Sequence, residues 1–531
     1  MRALSLALVL VGALVSGAMA AEPMIYYRGN SGEPDTLDPQ KVSGTWEGSI
    51  VRDLFLGLMI NNARGEAVAG AAERWDVSAD GRVYVFHLRK GLVWSDGEPL
   101  TADDFVFSFR RLADPATAAS YASNMFVFEN GEAINQGKLP KERLGVRALD
   151  PLTLELRLHT PVPYLLEMLT HAASYAVPRH VVEKKGAQWV RPGVMVTSGA
   201  YTLVEWRPHD RIRADKNPRF YDAANVAIDQ VFYYPTEDEQ TALKQFRAGE
   251  LDSNDQFPAR QYGWLKTNMP QQIRVAPWLG LYYYAFNSAR PPFTDKRVRQ
   301  ALSMSIPRED ITDKLLAYGV IPAYSIVPPG VAHYPEAATA PFKSWSREKR
   351  LSTARALLRE AGYGPDHPLE VTISYNSNKD HKKIALAVAY GWKQIGVTAR
   401  LFNVEAKVHY NNLKIADFEV ARAAWIADYN DPENFLFLLD SHTGQLNYGQ
   451  YDNPRYDALM AKAARTLDLD ARAKILHEAE AMALGDMPIA PIYFYVSRNL
   501  VQTWVKGWED NIMDAHPTRY LKIEGRPSMR R

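Results

Sequence analysis

The sequence predicts a mixed α/β protein of more than one lobe, exported and soluble. Three observations carry that expectation. A chain of 531 residues is longer than one hydrophobic core ordinarily organises. Strand-like apolar runs alternate with amphipathic helical stretches throughout, without low-complexity segments or a short repeat. The first twenty residues have the layout of a secretory signal peptide. Arg2 is followed by an apolar run over residues 4–15, broken only by Ser5 and Gly12, and then by the small-residue cleavage site Ala18-Met19-Ala20.

That apolar run is too short to cross a bilayer, and no later stretch is long enough. The chain has no cysteine, which removes a lipid-bearing cysteine, disulfides, thiolate metal sites and thiol catalysis together. A cleaved chain without a lipid stays with its cell only behind an outer membrane, so the expected location is the periplasm.

Individual elements follow from local pattern. Val83-Tyr84-Val85-Phe86-His87-Leu88 reads as a strand buried on both faces after the Asp80-Gly81 turn. Thr101-Ala102-Asp103-Asp104 is a capping-box variant that opens a helix carrying Phe105, Phe109 and Leu112, ended at Asp114-Pro115. A second helix starts near Asp295 and turns Val298, Ala301 and Leu302 inward. A third starts at His381, with Ile384, Val388, Trp392 and Ile395 on one stripe and Gly396 as its stop; residues 397–402 follow as a strand. Ile475, Leu476, Ala479 and Met482 mark a late helix, and residues 488–495 an apolar strand.

Charge excludes some functions. Loss of Arg2 with the signal turns 62 basic and 61 acidic residues into 61 of each, a balance that does not attract nucleic acid or anionic membrane. The 12 histidines are not grouped at metal-ligand spacing, and no phosphate loop, nucleophile elbow or H-E-x-x-H motif occurs. No cofactor, no metal and no enzymatic activity are expected. The aromatic stock of 12 Trp and 28 Tyr serves cores first and a binding cleft second.

Three stretches together carry a resemblance. They are Ala72-Glu73-Arg74-Trp75-Asp76 with its continuation through Trp94-Ser95-Asp96-Gly97 to Phe105, Pro292-Phe293-Thr294-Asp295-Lys296-Arg297-Val298, and Ala421-Arg422-Ala423-Ala424-Trp425-Ile426-Ala427-Asp428-Tyr429-Asn430. The chain resembles the peptide/nickel/opine class of extracellular solute-binding proteins, and within it the oligopeptide binders. The resemblance implies a two-lobed periplasmic binding protein fold with an additional domain, hinged by two crossovers near Leu279-Gly280 and Val496-Ser497. Lobe I is then 21–56, 181–279 and 497–531, the additional domain 57–180, and lobe II 280–496.

For the site, the resemblance implies that Asp428 pairs with a peptide N-terminus, with a turn or helix-cap aspartate as the plain alternative. Arg422 and His381 meet the C-terminus of ligands of different length, although His381 equally suits an ordinary helix-start residue. Tyr121, Trp425 and Tyr495 line the cleft, while Ala424 and Ile426 lie in the segment that holds the ligand backbone. Family positions are altered at Leu316, Ala406 and Ser43, which points to changed ligand length and side-chain preference, and Gly280 and Ile426 stand where enteric relatives carry paired cysteines. The expected function is a monomeric receptor that captures short peptides and delivers them to an inner-membrane ABC permease. The alternatives are a receptor for murein tripeptide and, in another class, a periplasmic peptidase or peptide chaperone.

Overall fold

The structure, a computed structural model, describes residues 22–527; the signal peptide read at residues 1–20 lies outside them. Two strands, Ile273–Phe286 and Ile489–Val501, pair antiparallel in the middle of an 11-stranded sheet. Their Tyr, Phe, Ile and Val content suits a pleated surface covered on both sides. The ladder has two register shifts. Residues 273–277 pair with 496–500; the register then jumps, 281–282 pair with 493–494, and after a one-residue shift 283–285 pair with 489–491. Trp278, Leu279 and Gly280 thus stand opposite Tyr495 alone, a bulge that bends both strands where they pass between lobes.

On one side of the bulge the sheet continues through Ser253–Asn254, Ile25–Asn30, Gln230–Pro235, Arg211–Lys216 and Tyr201–Arg207. On the other it continues through Val420–Ile426, Leu369–Asn376 and Val397–Val404. A separate four-stranded sheet orders Ala72–Val77, Val83–Leu88, Thr153–Arg157 and Val146–Asp150, and helix Ala102–Ala113 packs on it. The fold is therefore two-lobed and α/β, with an additional domain and two crossovers. One core cluster spans Leu279 to Val496. Another joins the four-stranded sheet to the first lobe and the C-terminal segment, so the additional domain shares a core with one lobe only.

Local expectations mostly match. Asp104 accepts the Thr101 N–H at 2.9 Å, and Asp114 closes that helix. Asp295 caps helix Lys296–Met304, whose Val298, Ala301 and Leu302 are buried. The third helix is Lys379–Lys393, two residues earlier than expected because Asn378 supplies the cap. The last strand is longer than the apolar run alone implied, since residues 496–501 serve the other lobe. One expectation fails. Strand Val83–Leu88 is not buried on both faces: Tyr84, Phe86 and Leu88 are buried, while Val83, Val85 and His87 are half-exposed. Its sheet is covered on one side only, so a β-branched run there reflects strand preference rather than double burial.

Two buried charges inside the second lobe are held by short-range partners. Arg472 and Asp431 form a two-point pair at 2.7 and 2.8 Å, both side chains being at most 2% exposed. Glu480 accepts the N–H groups of Ile326, Val327 and Ala338 and the Tyr334 hydroxyl at 2.7–2.8 Å. Arg472→Met leaves Asp431 buried without its partner, and urea denaturation is expected to show a loss of about 3–5 kcal/mol.

Candidate ligand-binding site

Strand Val420–Ile426 has an open edge. Its neighbour Leu369–Asn376 pairs only with Val420 and Ala421. In an antiparallel ladder successive residues point their N–H and C=O alternately at the partner strand and away from it. Ala427 N–H donates to the Leu279 carbonyl at 2.9 Å, a phase that turns the backbone groups of Ala424 and Ile426 away from strand Ile273–Phe286 and toward the gap between lobes. The outward carbonyl of Arg422 is taken by His409 Nε2 at 2.8 Å. Ala424 and Ile426 have no such partner among the described residues. An unpaired edge of this kind is a template for an added strand.

Charged groups flank that edge. Arg422 is 5% exposed, and its guanidinium meets only neutral oxygens: Tyr410 Oη at 2.9 Å, Asn376 Oδ1 at 3.2 Å and Tyr495 Oη at 3.3 Å. Its plane lies 4.9 Å from the centre of the Tyr282 ring, and its Nε has no acceptor. No carboxylate of the described chain pairs with it. His381 joins the same group, with Nδ1 3.4 Å from Tyr282 Oη. Burial, aided by the nearby Arg422 charge, lowers its pKa to about 3, so at neutral pH it offers a hydrogen bond and not a charge.

Asp428 lies two residues beyond the strand end. Its own N–H donates to Asn434 Oδ1 at 3.3 Å, while its carboxylate has no ion-pair partner among the described residues. Burial raises its pKa to about 6. Burial, and then the Asp428 charge, raise the phenol of Tyr121. The cleft therefore holds an unpaired anion at one end and an unpaired cation at the other.

The remaining sequence candidates divide. Tyr495 joins the Arg422 group and packs edge-on against Trp278 at 6.3 Å. Trp425 alternates to the opposite face from Arg422; its Nε1–H donates to Asn434 Oδ1 at 2.9 Å and its ring rests on Phe437. Gly280 and Ile426 are direct cross-strand partners, and a Cβ on Gly280 would lie 2.6 Å from Ile426 Cδ1. The larger residue occupies the space its partner lacks. Leu316 is buried, and Ala406 and Ser43 are exposed. Motif reading missed Tyr282, Tyr410, Asn376 and Asn434, whose types are common and whose roles arise only through packing. It also missed the trio Asp440, His442 and Asp457, whose ligand atoms lie within 4.8 Å of one another. Those carboxylates are already engaged by His442 and Ser441.

This geometry meets a wider record of related proteins. The pattern described as bacterial extracellular solute-binding proteins, family 5 Middle, matches residues 66–447. The chain belongs to this family. It is 40% identical over 500 residues to the periplasmic oligopeptide-binding protein of Escherichia coli strain K12, covering 93% of this chain and 91% of that protein. Its structure is similar to the unliganded open form of a periplasmic murein tripeptide-binding protein, with a TM-score of 0.86, 38% identity and coverage of 95% and 98%. A second structure, of the Escherichia coli murein tripeptide-binding protein, matches with a TM-score of 0.78, 38% identity and coverage of 95% and 99%. No helix among the described residues is long and apolar enough to cross a membrane.

Because burial raises the Asp428 value, its ionised form is the destabilised one. The stability it contributes is present at low pH and is lost as pH rises through about 6. Asp428→Asn is therefore expected to raise unfolding free energy at pH 8 by about 1–3 kcal/mol, with the gain vanishing near pH 4. Denaturant titrations of the unliganded protein at the two pH values check this.

Proposed function

We propose that this chain is a periplasmic receptor that holds short peptides as an added strand on Ala424 and Ile426, and hands them to an inner-membrane ABC permease. The open edge between the unpaired Asp428 and the unpaired Arg422 carries the reading. The six residue steps from 422 to 428 span about 20 Å between Cα atoms. An extended peptide of three to five residues covers about 10–18 Å, and the two anchoring side chains reach inward to close the difference. Asp428 takes the ammonium; Arg422, with neutral His381 beside it, takes the carboxylate. Tyr121 covers the N-terminal end.

In this reading lobe I is 21–56, 181–279 and 497–531, the additional domain 57–180, and lobe II 280–496. Closure about the bulge at Trp278–Gly280 and Tyr495 brings lobe I over the ligand, and ligand contacts made only in the closed form drive it. The protein performs no chemistry of its own. A murein tripeptide is the second reading, favoured by the overlay on the unliganded murein tripeptide binder.

Native mass spectrometry of protein taken from its host is expected to show bound masses of three- to five-residue peptides; a sugar or a metal overturns the proposal. Asp428→Ala is expected to weaken free-amine peptides by about 2–5 kcal/mol and N-acetylated ones far less, read by calorimetry. Protonation of Asp428 competes with the ammonium, so affinity for free-amine peptides falls about tenfold from pH 7 to pH 5, whereas Asp428→Asn removes that dependence.

A further inference from the structure

Asp428 is an anchor that its own side chain does not hold. Among the described residues its carboxylate accepts no hydrogen bond and meets no cation; only its N–H is bonded, to Asn434 Oδ1 at 3.3 Å. The place of that carboxylate is therefore set by the backbone of residues 428–434, and by whatever fixes that turn.

Three parts of the molecule fix it. Asn434 binds it from within, and takes the Trp425 Nε1–H as well at 2.9 Å. Arg472, on helix Leu469–Asp486, clamps Asp431 at 2.7 and 2.8 Å. The third part comes from across the gap between lobes. Tyr164 stacks on Tyr429, with ring centres 5.0 Å apart and planes 4° from parallel. Tyr429 Oη donates to Glu433 Oε2 at 2.7 Å, which orients the ring that Tyr164 covers, and the Arg472 guanidinium lies 5.5 Å from the centre of the Tyr164 ring. Ala427 and Phe435, on either side of the turn, belong to the core of the second lobe. Tyr429 does not. It packs, with Tyr164, against the core that the four-stranded sheet shares with the first lobe.

The residue next to Asp428 is thus seated in the opposite lobe's core. With that ring seated, the backbone it shares with Asp428 has little room to turn, and the carboxylate is set before a ligand arrives. Anchors held in their bound geometry bind more tightly, because less order is lost on association. A charge-assisted hydrogen bond to an ammonium is directional, so small displacements of the anchor weaken it.

We propose that Tyr164 is a positioning residue for the ammonium end of a bound peptide, acting through Tyr429 to hold Asp428 in place. The proposal rests on the peptide reading above. It gives the part of the chain that carries the four-stranded sheet a role in ligand capture that needs no contact between Tyr164 and the ligand. The ring face does the holding, so the planar ring is required and the Tyr164 hydroxyl is not.

Calorimetry with tri-alanine and N-acetyl-tri-alanine tests this in the unmutated protein, Tyr164→Leu, Tyr164→Phe and Asp428→Ala. Tyr164→Leu is expected to weaken tri-alanine by about three- to tenfold and the acetylated peptide by less than about twofold. Tyr164→Phe is expected to keep both within about twofold. Equal losses for the two peptides, no loss for either, or the same loss in Tyr164→Phe as in Tyr164→Leu overturns the proposal. Amide exchange in the unmutated protein gives a second readout that needs no variant to fold. At equal saturation tri-alanine is expected to slow exchange over residues 162–168 more than the acetylated peptide does, since coupling between the two sites is reciprocal; equal slowing overturns the proposal. If Asp428→Ala itself fails to separate the two peptides, the peptide reading of Asp428 falls. If it separates them and Tyr164→Leu does not, only the positioning role falls.

Discussion

The interrupted pairing of Ile273–Phe286 with Ile489–Val501 is the constraint on which the rest of the structure depends. Each strand belongs to both lobes, and the widest break in the ladder, where Trp278, Leu279 and Gly280 face Tyr495, lies between them; a smaller shift falls between Tyr282 and Tyr283. Paired stretches on either side hold each half of the sheet together, and the wide break is where bending costs least. Gly280 is required at this point because a Cβ would press on both Ile426 and Tyr495. The binding residues hang from the same place. Tyr282 carries Arg422 on its ring, Tyr495 reaches the same guanidinium, and Val420–Ile426 pairs directly with Ile273–Phe286. In the proposed reading, bending at the bulge moves these groups together with the strand edge.

Buried charges in this protein are answered to different degrees. Some are paired or multiply bonded at short range, as with Arg472 and Asp431, Arg28 and Asp255, or Glu480 with its four donors, while Arg308 meets only carbonyls and the Ser303 hydroxyl. Beside the open strand edge, Asp428 and Arg422 have no counter-charge among the described residues. Holding a partly buried charge without a counter-charge is unfavourable, and in the proposed reading a zwitterionic peptide supplies both counter-charges while the open edge pairs with its backbone. The neutral state of His381 fits the same arrangement, because a second cation beside Arg422 would deepen the deficit.

Much of the fold was legible because short-range chemistry fixes it. The capping pattern at Thr101 and Asp104, the Asp295 cap and the stripe Ile384, Val388 and Trp392 each specify an element through neighbours a few residues away. Strand Val83–Leu88 shows the limit: its apolar run is locally indistinguishable from one buried on both faces, and only the absence of a second covering layer exposes Val83, Val85 and His87. Trp425 is set by packing as well: strand alternation puts it on the face opposite Arg422, where its indole shares Asn434 Oδ1 with the Asp428 N–H.

By itself the sequence determined the export layout, the absence of thiol chemistry, the helices and strands, and the segment around Asp428 that resembles a peptide site. These depend on composition and on contacts close along the chain. Only the tertiary structure decided that Ala424 and Ile426 lie on an unpaired edge and that Arg422 meets nothing but neutral oxygens. A missing partner is a statement about everything within reach in space, and residues hundreds of positions apart in the chain supply that surrounding.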